Sequence, residues 1–147
     1  MQITCSINNK KYVFEAEPTK RALDIIRELG MTSVKEGCGE GECGACSVFF
    51  NGKLINTCLL IAAQMQDAKI FTLEGLQEET RIIRDHFVKE GAVQCGFCTD
   101  GFVLRAHDYI ENDGLKDEKV LKDALDGNLC RCTGYQKIVE AILKSMS

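Results

Sequence analysis

The sequence predicts an α+β protein, because its first half carries strand patterns and its second half carries helical patterns. Between residues 2 and 73, short apolar–polar alternations flank turn-forming pairs such as Asn51-Gly52, which is the pattern of β-hairpins. From residue 82 onwards, apolar residues recur every three or four positions, which is the period of amphipathic helices. The third feature is a count of nine cysteines, most of which stand in short motifs.

The first half is predicted to contain two hairpins, one helix and a closing strand. The Asn8-Asn9 pair suits the turn of the first hairpin, and Asn51-Gly52 suits the turn of the second. A helix is expected after Pro18, with Thr19 as its N-cap and Gly30 as its stop. This order of elements fits a β-grasp layout. The expected strands cover residues 2–7, 11–15, 47–50, 53–56 and 69–73.

The second half is predicted to be a bundle of four short helices. Asp117 is expected to cap the third helix, and Thr133 with Gln136 forms a capping-box pattern before the fourth. The boundary is expected between Glu74 and Thr80, which gives domains of residues 1–76 and 77–147. The four apolar stripes are Ile82, Ile83, His86 and Phe87; Phe102, Val103, Ala106, Tyr109 and Ile110; Val120, Leu121, Ala124 and Leu125; and Ile138, Val139, Ile142 and Leu143.

Four cysteines in the first half form what we call the first quartet: Cys38, Cys43, Cys46 and Cys58. The first three are spaced C-x4-C-x2-C, and Cys58 follows after eleven intervening residues. This is the spacing by which plant-type ferredoxins hold a 2Fe–2S cluster, so the quartet predicts such a cluster.

Glycines are interleaved with these cysteines at Gly39, Gly41 and Gly44. A loop around a small anionic cluster must turn its backbone N–H groups inward, and this requires dihedral angles that glycine adopts at little cost. The three glycines are therefore predicted to shape the cluster-binding backbone.

The second quartet comprises Cys95, Cys98, Cys130 and Cys132, in the order C-x2-C, a gap of thirty-one residues, and C-x-C. Each pair stands just before a predicted helix, where the helix dipole favours anionic thiolates. The quartet therefore predicts a second cluster. The ninth cysteine, Cys5, falls at an inward strand position and is expected to pack as a small apolar residue.

Zinc is the alternative occupant of four-cysteine sites. The first quartet favours a cluster, because its spacing and glycines differ from those of a zinc knuckle. The second quartet leaves zinc open, because C-x2-C serves both chemistries. A Rieske centre needs two histidine ligands, whereas His86 and His107 stand inside helical patterns and are expected to be packing or surface residues.

Composition limits the classes of binding partner and the cellular compartment that are expected for this chain. A net charge of −4 and a pI near 5.2 argue against binding nucleic acid or an anionic membrane. No apolar run reaches membrane-spanning length and no signal segment is evident, so cysteine-rich metal sites in the cytoplasm are expected.

The residues beside the cysteines are expected to have structural or solvent-facing roles. Lys35 and Glu36 are expected to form a solvated edge, and Phe97 is expected to shield the cluster from water. Arg131 could offset cluster charge or pair with a partner, and both readings stay open. The chain has no G-x-G-x-x-G fingerprint and no nucleophile–base pair, so no catalytic residue is predicted.

Three longer motifs follow one another along the chain. They are Glu36-Gly37-Cys38-x-Glu40-Gly41-x-Cys43-Gly44-Ala45-Cys46, Val93-Gln94-Cys95-Gly96-Phe97-Cys98-Thr99, and Gly127-Asn128-Leu129-Cys130-Arg131-Cys132-Thr133-Gly134-Tyr135. Over nearly the whole chain this combination resembles the iron–sulfur subunit of the molybdenum hydroxylases, the family of xanthine dehydrogenase, aldehyde oxidoreductase and molybdenum-type carbon monoxide dehydrogenase. Asp100 departs from the family pattern, which usually has proline there, although both residues suit the first turn of a helix.

The resemblance implies a three-part enzyme that dimerises further. A large subunit would carry a molybdopterin-type molybdenum cofactor, and a medium subunit would carry FAD. The second quartet would lie beside the pterin, with Gln94 and Cys132 in contact with it, and the first quartet would lie toward the flavin. This chain would then pass single electrons between the two partners and perform no substrate chemistry. The residues alone also leave open a free two-cluster ferredoxin and a structural zinc protein.

Overall fold

The computed structural model describes all residues from Met1 to Ser147 and contains one mixed five-stranded sheet and five α-helices. The predicted α+β class is therefore confirmed. None of the helices combines the length and the apolar character needed to cross a membrane. The elements are β1 (Gln2–Ile7), β2 (Lys10–Glu15), α1 (Ala22–Glu28), β3 (Ser47–Phe50), β4 (Lys53–Asn56), β5 (Lys69–Phe71), α2 (Arg81–Lys89), α3 (Thr99–Glu111), α4 (Glu118–Ala124) and α5 (Gln136–Ser145).

The sheet has the strand order β2-β1-β5-β3-β4. The β1–β2 and β3–β4 pairs are the two predicted hairpins, and β5 lies between them, parallel to β1 and antiparallel to β3. Asn8, Asn9, Asn51 and Gly52 all have positive φ, as tight two-residue hairpin turns require. The strands agree with the prediction to within two residues.

One hydrophobic cluster lies between the sheet and α1. Ile3, Cys5 and Ile7 alternate along β1 and are buried there, together with the apolar face of α1. Cys5 is 3% exposed, as expected of a residue that packs as a small apolar side chain. Cys46 and Cys58 belong to the same cluster, so half of the first quartet is anchored in this core.

A second hydrophobic cluster is formed by the four later helices. Phe87, Phe102, Leu121, Ile138 and Ile142 are buried in it, which confirms one or more positions of each predicted stripe. The same cluster includes Leu73, whereas the last buried residue of the first cluster is Ile70. The change from one core to the other therefore occurs just after β5.

Two predicted helix starts are wrong. Helix α1 begins at Ala22 rather than after Thr19, and its N-cap position is Arg21, whose side chain makes no capping bond. Helix α5 begins at Gln136 without a side-chain cap, because the hydroxyl of Thr133 is bonded to the Cys130 sulfur instead. In contrast, the Asp117 cap is confirmed, since its carboxylate accepts a bond of 3.0 Å from the Val120 N–H.

Some stripe residues are not core residues. Ile82 is 60% exposed, because only one side of α2 faces α3 and α5 and Ile83 and Phe87 fill it. Val120 is 39% exposed for the same kind of reason, since Leu121 is the residue of α4 that is fully buried.

The two halves meet in a contact between backbones. The loop of the first quartet lies against the start of α3, so that a Cβ added at Gly101 would lie 2.4 Å from the Gly44 carbonyl oxygen. A Cβ at Gly44 would lie 2.4 Å from the amide nitrogen of Asn128, in the α4–α5 loop. Only glycine fits at these two positions, because the neighbouring atoms include backbone that cannot turn away.

We predict that Gly101→Ala destabilises the protein by about 1–3 kcal/mol, because the added methyl group forces two backbones apart. The shift of the urea unfolding midpoint of the iron-loaded chain measures this effect. Gly127→Ala is the matched control, since a Cβ there would meet no atom within 4 Å, and we expect it to change stability by less than about 0.5 kcal/mol. Equal stability of the two variants would contradict the proposed close contact.

Candidate metal centres

The loop of the first quartet turns backbone N–H groups toward a cysteine sulfur. Cys38 Sγ accepts bonds from the N–H groups of Glu40, Glu42 and Cys43 at 3.4, 3.2 and 3.4 Å. The three predicted loop glycines, Gly39, Gly41 and Gly44, have φ values of 71°, 80° and 76°. The dihedral angles expected of them are therefore present, and the loop forms a concave surface of amide donors that favours negative charge.

The first quartet is brought together as two contacting pairs. The Cys38 thiol contacts that of Cys43 within the loop, and the Cys46 thiol contacts that of Cys58. Cys58 reaches this position because the β3–β4 hairpin returns the chain to the loop, where a short 3-10 turn, Thr57–Leu59, carries the cysteine.

The environment differs across the first quartet. The backbone N–H groups, first of all that of Glu40, lower the pKa of Cys38 to about 7 and so favour its thiolate. Burial, followed by the neighbouring Cys46 thiol, raises the pKa of Cys58 to about 11. The loop thus favours a thiolate at Cys38, whereas the Cys58 thiol on the core side keeps its proton until a metal displaces it.

The second quartet is also brought together as two pairs. Cys95 contacts Cys132, and both are exposed, whereas Cys98 contacts Cys130 and both are half-buried. One member of each pair precedes α3 and the other precedes α5, as the sequence predicts. Burial, followed by Cys130, raises the pKa of Cys98 to about 12, so the Cys98 thiol keeps its proton unless a metal displaces it.

Thr133 and Tyr135 hold Cys130 in place. The Thr133 hydroxyl donates to Cys130 Sγ at 3.1 Å, and the Thr133 N–H lies 3.4 Å from the same atom. Burial alone would raise the pKa of Cys130, but these bonds outweigh burial and lower it. The Tyr135 hydroxyl accepts a bond from the Cys130 N–H at 3.1 Å, and Tyr135 itself has a φ of 73°. Sequence reasoning assigned Thr133 to a helix cap and so missed this role, although its position three residues after Cys130 was a usable signal.

The two quartets are neighbours. The Leu129 N–H donates to the Cys43 carbonyl oxygen at 3.0 Å, and Leu129 directly precedes Cys130. A cavity of about 350 Å³ opens between the quartets, and Cys43, Cys95, Cys98, Cys130 and Cys132 are among the residues that line it. One hydrogen bond thus links a residue of the first quartet to the residue before a member of the second.

The paired arrangement of the thiols matches the donor set of a two-iron cluster. In a 2Fe–2S cluster four thiolates are shared between two irons, so each iron needs a pair of cysteines. Four contacting pairs provide ligands for four irons, and the donor set fits two such clusters.

The remaining predicted residues lie at the surface, line the cavity or pack against other side chains. Gln94 and Cys132 are exposed on the outer side of the second quartet. Arg131 lines the cavity between the quartets, and Phe97 covers Gly37 at its edge. His107 packs edge-on against Phe49 with ring centroids 5.9 Å apart, in agreement with its expected packing role.

The interpretation of Lys35 and Glu36 as a solvated edge is wrong for Lys35. Its ammonium group binds the Asp100 carboxylate at 2.5 Å, across the interface between the two halves, and both side chains are about one quarter exposed. Glu36 is more exposed and binds Arg21 at 2.7 Å. Sequence patterns could not reveal the Lys35–Asp100 pair, because its members are separated by sixty-four residues.

Asn128 is a further residue that sequence reasoning named only as part of a motif. It is 3% exposed, and its side-chain amide contacts Gly44 between two members of the first quartet. Its Oδ1 atom has no hydrogen-bond partner. Asn128 therefore fills the space between the loop of the first quartet and the loop that carries Cys130.

Two family models match the chain. The model described as a 2Fe-2S iron–sulfur cluster binding domain covers residues 5–99, and the model described as a [2Fe-2S] binding domain covers residues 72–143. Together they extend over both quartets. The class of the protein is therefore that of the 2Fe–2S iron–sulfur proteins.

Relatives define the class more narrowly. The nicotinate dehydrogenase small FeS subunit of Eubacterium barkeri is 45% identical over 95% of this chain and 91% of its own length. The xanthine dehydrogenase iron–sulfur-binding subunit of Escherichia coli O157:H7 is 40% identical over 96% of this chain and 91% of its own length. A chain of quinoline 2-oxidoreductase from Pseudomonas putida 86 superimposes with a TM-score of 0.91 at 37% identity, over 97% of this chain and 90% of that one.

The chain belongs to the family of iron–sulfur electron-transfer subunits of the molybdenum hydroxylases, as the three motifs predicted. Members of this family are parts of oxidoreductases that contain several cofactors. The prediction of an electron-transfer function is therefore confirmed, and the free ferredoxin and the structural zinc protein are not supported.

We predict that Thr133→Val lowers the reduction potential of the cluster at the second quartet, because a hydrogen bond to a ligand sulfur stabilises the reduced state. The shift is about 40 mV if the bond differs by about 1 kcal/mol between the two redox states. A redox titration followed by EPR measures it. Thr133→Ser keeps the hydroxyl and should titrate like the wild type; an equal shift in both variants would show that the hydroxyl bond is not the cause.

Proposed function

We propose that this chain holds two 2Fe–2S clusters and carries single electrons between a molybdopterin-type molybdenum cofactor in a large partner subunit and FAD in a medium partner subunit. The ligands of the flavin-side cluster would be Cys38, Cys43, Cys46 and Cys58. Those of the molybdenum-side cluster would be Cys95, Cys98, Cys130 and Cys132.

The observation that carries this proposal is the arrangement of eight thiols as four contacting pairs, two pairs in each quartet. When bound, 2Fe–2S clusters accept and release single electrons with little rearrangement of the protein. The chain's own part is to hold them rigidly. The buried pair Cys46 and Cys58 is anchored in the first core, and Cys98 and Cys130 pack against the second core.

The link between the quartets supports passage from one to the other. The hydrogen bond from the Leu129 N–H to the Cys43 carbonyl joins the backbones that carry two of the ligands. Gly44 and Gly101 allow those backbones to approach without side chains between them. A short path through bonded atoms favours electron transfer in either direction, so the direction is set by the partners' potentials.

We further propose two domains, a β-grasp domain of residues 1–76 and a four-helix domain of residues 77–147. The strand order and the two separate hydrophobic clusters support this division. The linking segment follows β5, where a 3-10 turn at Leu73–Gly75 leads toward α2.

The molybdenum partner is expected at the exposed face of the second quartet. Gln94, Cys95 and Cys132 are exposed there, and Gln94 and Cys132 are our candidates for contact with the pterin. The flavin partner is expected at the exposed Cys38 side of the first loop. We expect the complex to reside in the cytoplasm and to dimerise, and its substrate to be chosen by the large subunit.

The ligand assignment is tested by metal content. Anaerobically purified chain should contain about four irons and four acid-labile sulfides. Cys58→Ser and Cys98→Ser should each lower both counts toward about two. Cys5→Ala is the matched control, because Cys5 is as buried as Cys46 but stands apart from both quartets, and it should leave the counts unchanged. Stoichiometric zinc without iron would overturn the proposal.

The partner assignment is tested by Gln94→Ala. The exposed amide makes no bond within the chain, so its loss should leave four irons in place while weakening retention of the large subunit. Co-purification with an affinity-tagged small subunit, together with cluster EPR, measures both properties. Loss of the EPR signal of the second quartet would contradict the role of Gln94 as a contact residue.

A further inference from the structure

The ion pair of Lys35 and Asp100 joins the two loops that carry the quartets. Lys35 precedes the first loop and is fixed there by a bond of 3.1 Å from its N–H to the Ala45 carbonyl. Asp100 lies in the first turn of α3, two residues after Cys98, and its carboxylate is 2.5 Å from the Lys35 ammonium. Any separation of the loops would therefore separate two charges that are already partly withdrawn from water.

The same ammonium group faces Phe97. It lies 5.8 Å from the centre of the ring, and the ring in turn lies 3.6 Å from the Cβ position of Gly37. Phe97 lines the cavity between the quartets, although 44% of its surface is exposed. A cation at this distance from a ring face is attracted to it, so the Lys35 ammonium contributes to holding the partly exposed ring in place.

A simpler role for Asp100 is that of an acidic residue in the first turn of a helix. That role requires neither Lys35 nor burial. The short contact, the quarter exposure of both side chains and the Phe97 contact are explained only if the carboxylate acts through Lys35.

We propose that Lys35 and Asp100 form a charge-neutral clamp that holds the loop of residues 95–98 on the loop of residues 38–46 and keeps Phe97 over the cavity between them. Asp100 is thus a positioning residue. The inference rests on the proposed function, because the cavity matters for electron transfer only when clusters occupy the quartets. The clamp itself adds no net charge beside the clusters, since each side chain neutralises the other.

The test uses the full-length, iron-loaded chain and four variants: Lys35→Met, Asp100→Asn, the double variant, and Glu36→Gln as matched control. Glu36 neighbours Lys35 but pairs with Arg21 on its own half of the molecule. Two properties are measured. Hydrogen exchange of the Leu129 amide reports on opening of the interface between the two halves, because this amide is bonded to Cys43 across it. Redox titration followed by EPR reports the potentials of the clusters.

We expect exchange at Leu129 to rise about tenfold in both single variants, to rise no further in the double variant, and to remain unchanged in Glu36→Gln. The potentials should shift in opposite directions, up in Asp100→Asn, which leaves an unpaired cation, and down in Lys35→Met, which leaves an unpaired anion. They should return close to the wild-type values in the double variant. Two further variants, Asp100→Glu and Lys35→Arg, keep the pair and should match the wild type in both properties.

Unchanged exchange in both single variants at full iron content overturns the proposal, and so do potentials that shift in the same direction. If Asp100→Asn fails to load iron, Asp100→Pro takes its place, because proline suits the first turn of a helix and also removes the carboxylate. A wild-type chain without iron would instead overturn the proposed function, so the two failures are distinguishable.

Discussion

The approach of two backbones at Gly44 and Gly101 is the constraint on which the rest of this structure depends. Each half of the chain builds its own hydrophobic cluster, and neither cluster by itself brings the quartets together. The quartets become neighbours because the loop of the first lies directly on the start of α3, at a distance that excludes any Cβ at either glycine. The hydrogen bond between Leu129 and Cys43 is possible only at this separation. The close packing of these two backbones therefore sets how near the two quartets lie to each other.

The surroundings of the cysteines follow from the same geometry. The sides that face the cores are dry: Cys46 and Cys58 are buried, and burial raises the pKa of Cys58 to about 11. The outer sides are exposed to solvent or lined with hydrogen-bond donors. At Cys38, backbone N–H groups lower the pKa of the thiol to about 7. A site of this kind binds its cluster on a rigid apolar base and exposes an edge to partner subunits. That division suits a carrier, which must hold its cofactor firmly and still exchange electrons with other proteins.

The Lys35–Asp100 pair joins the start of α3 to the segment that precedes the first loop. Asp100 keeps the start of α3 intact, as proline would, but also provides a carboxylate at the interface between the halves. Because the pair is neutral as a whole, it adds cohesion to the interface without adding charge beside two anionic centres. An uncompensated charge at this position would change the ease of reduction of a nearby cluster.

Local sequence patterns were enough to predict most of the helices and strands and the two cysteine quartets. Hairpin turns at Asn8-Asn9 and Asn51-Gly52, the stop at Gly30 and the cap at Asp117 are set by the dihedral preferences and side-chain acceptors of a few neighbouring residues. Cysteine spacing is similarly local, and it predicted the family. Three features became visible only in the folded chain: Thr133 bonds Cys130 instead of capping α5, Ile82 faces solvent, and Lys35 pairs with Asp100. Each of these depends on which distant segment lies opposite, and such contacts leave no periodic trace along the chain.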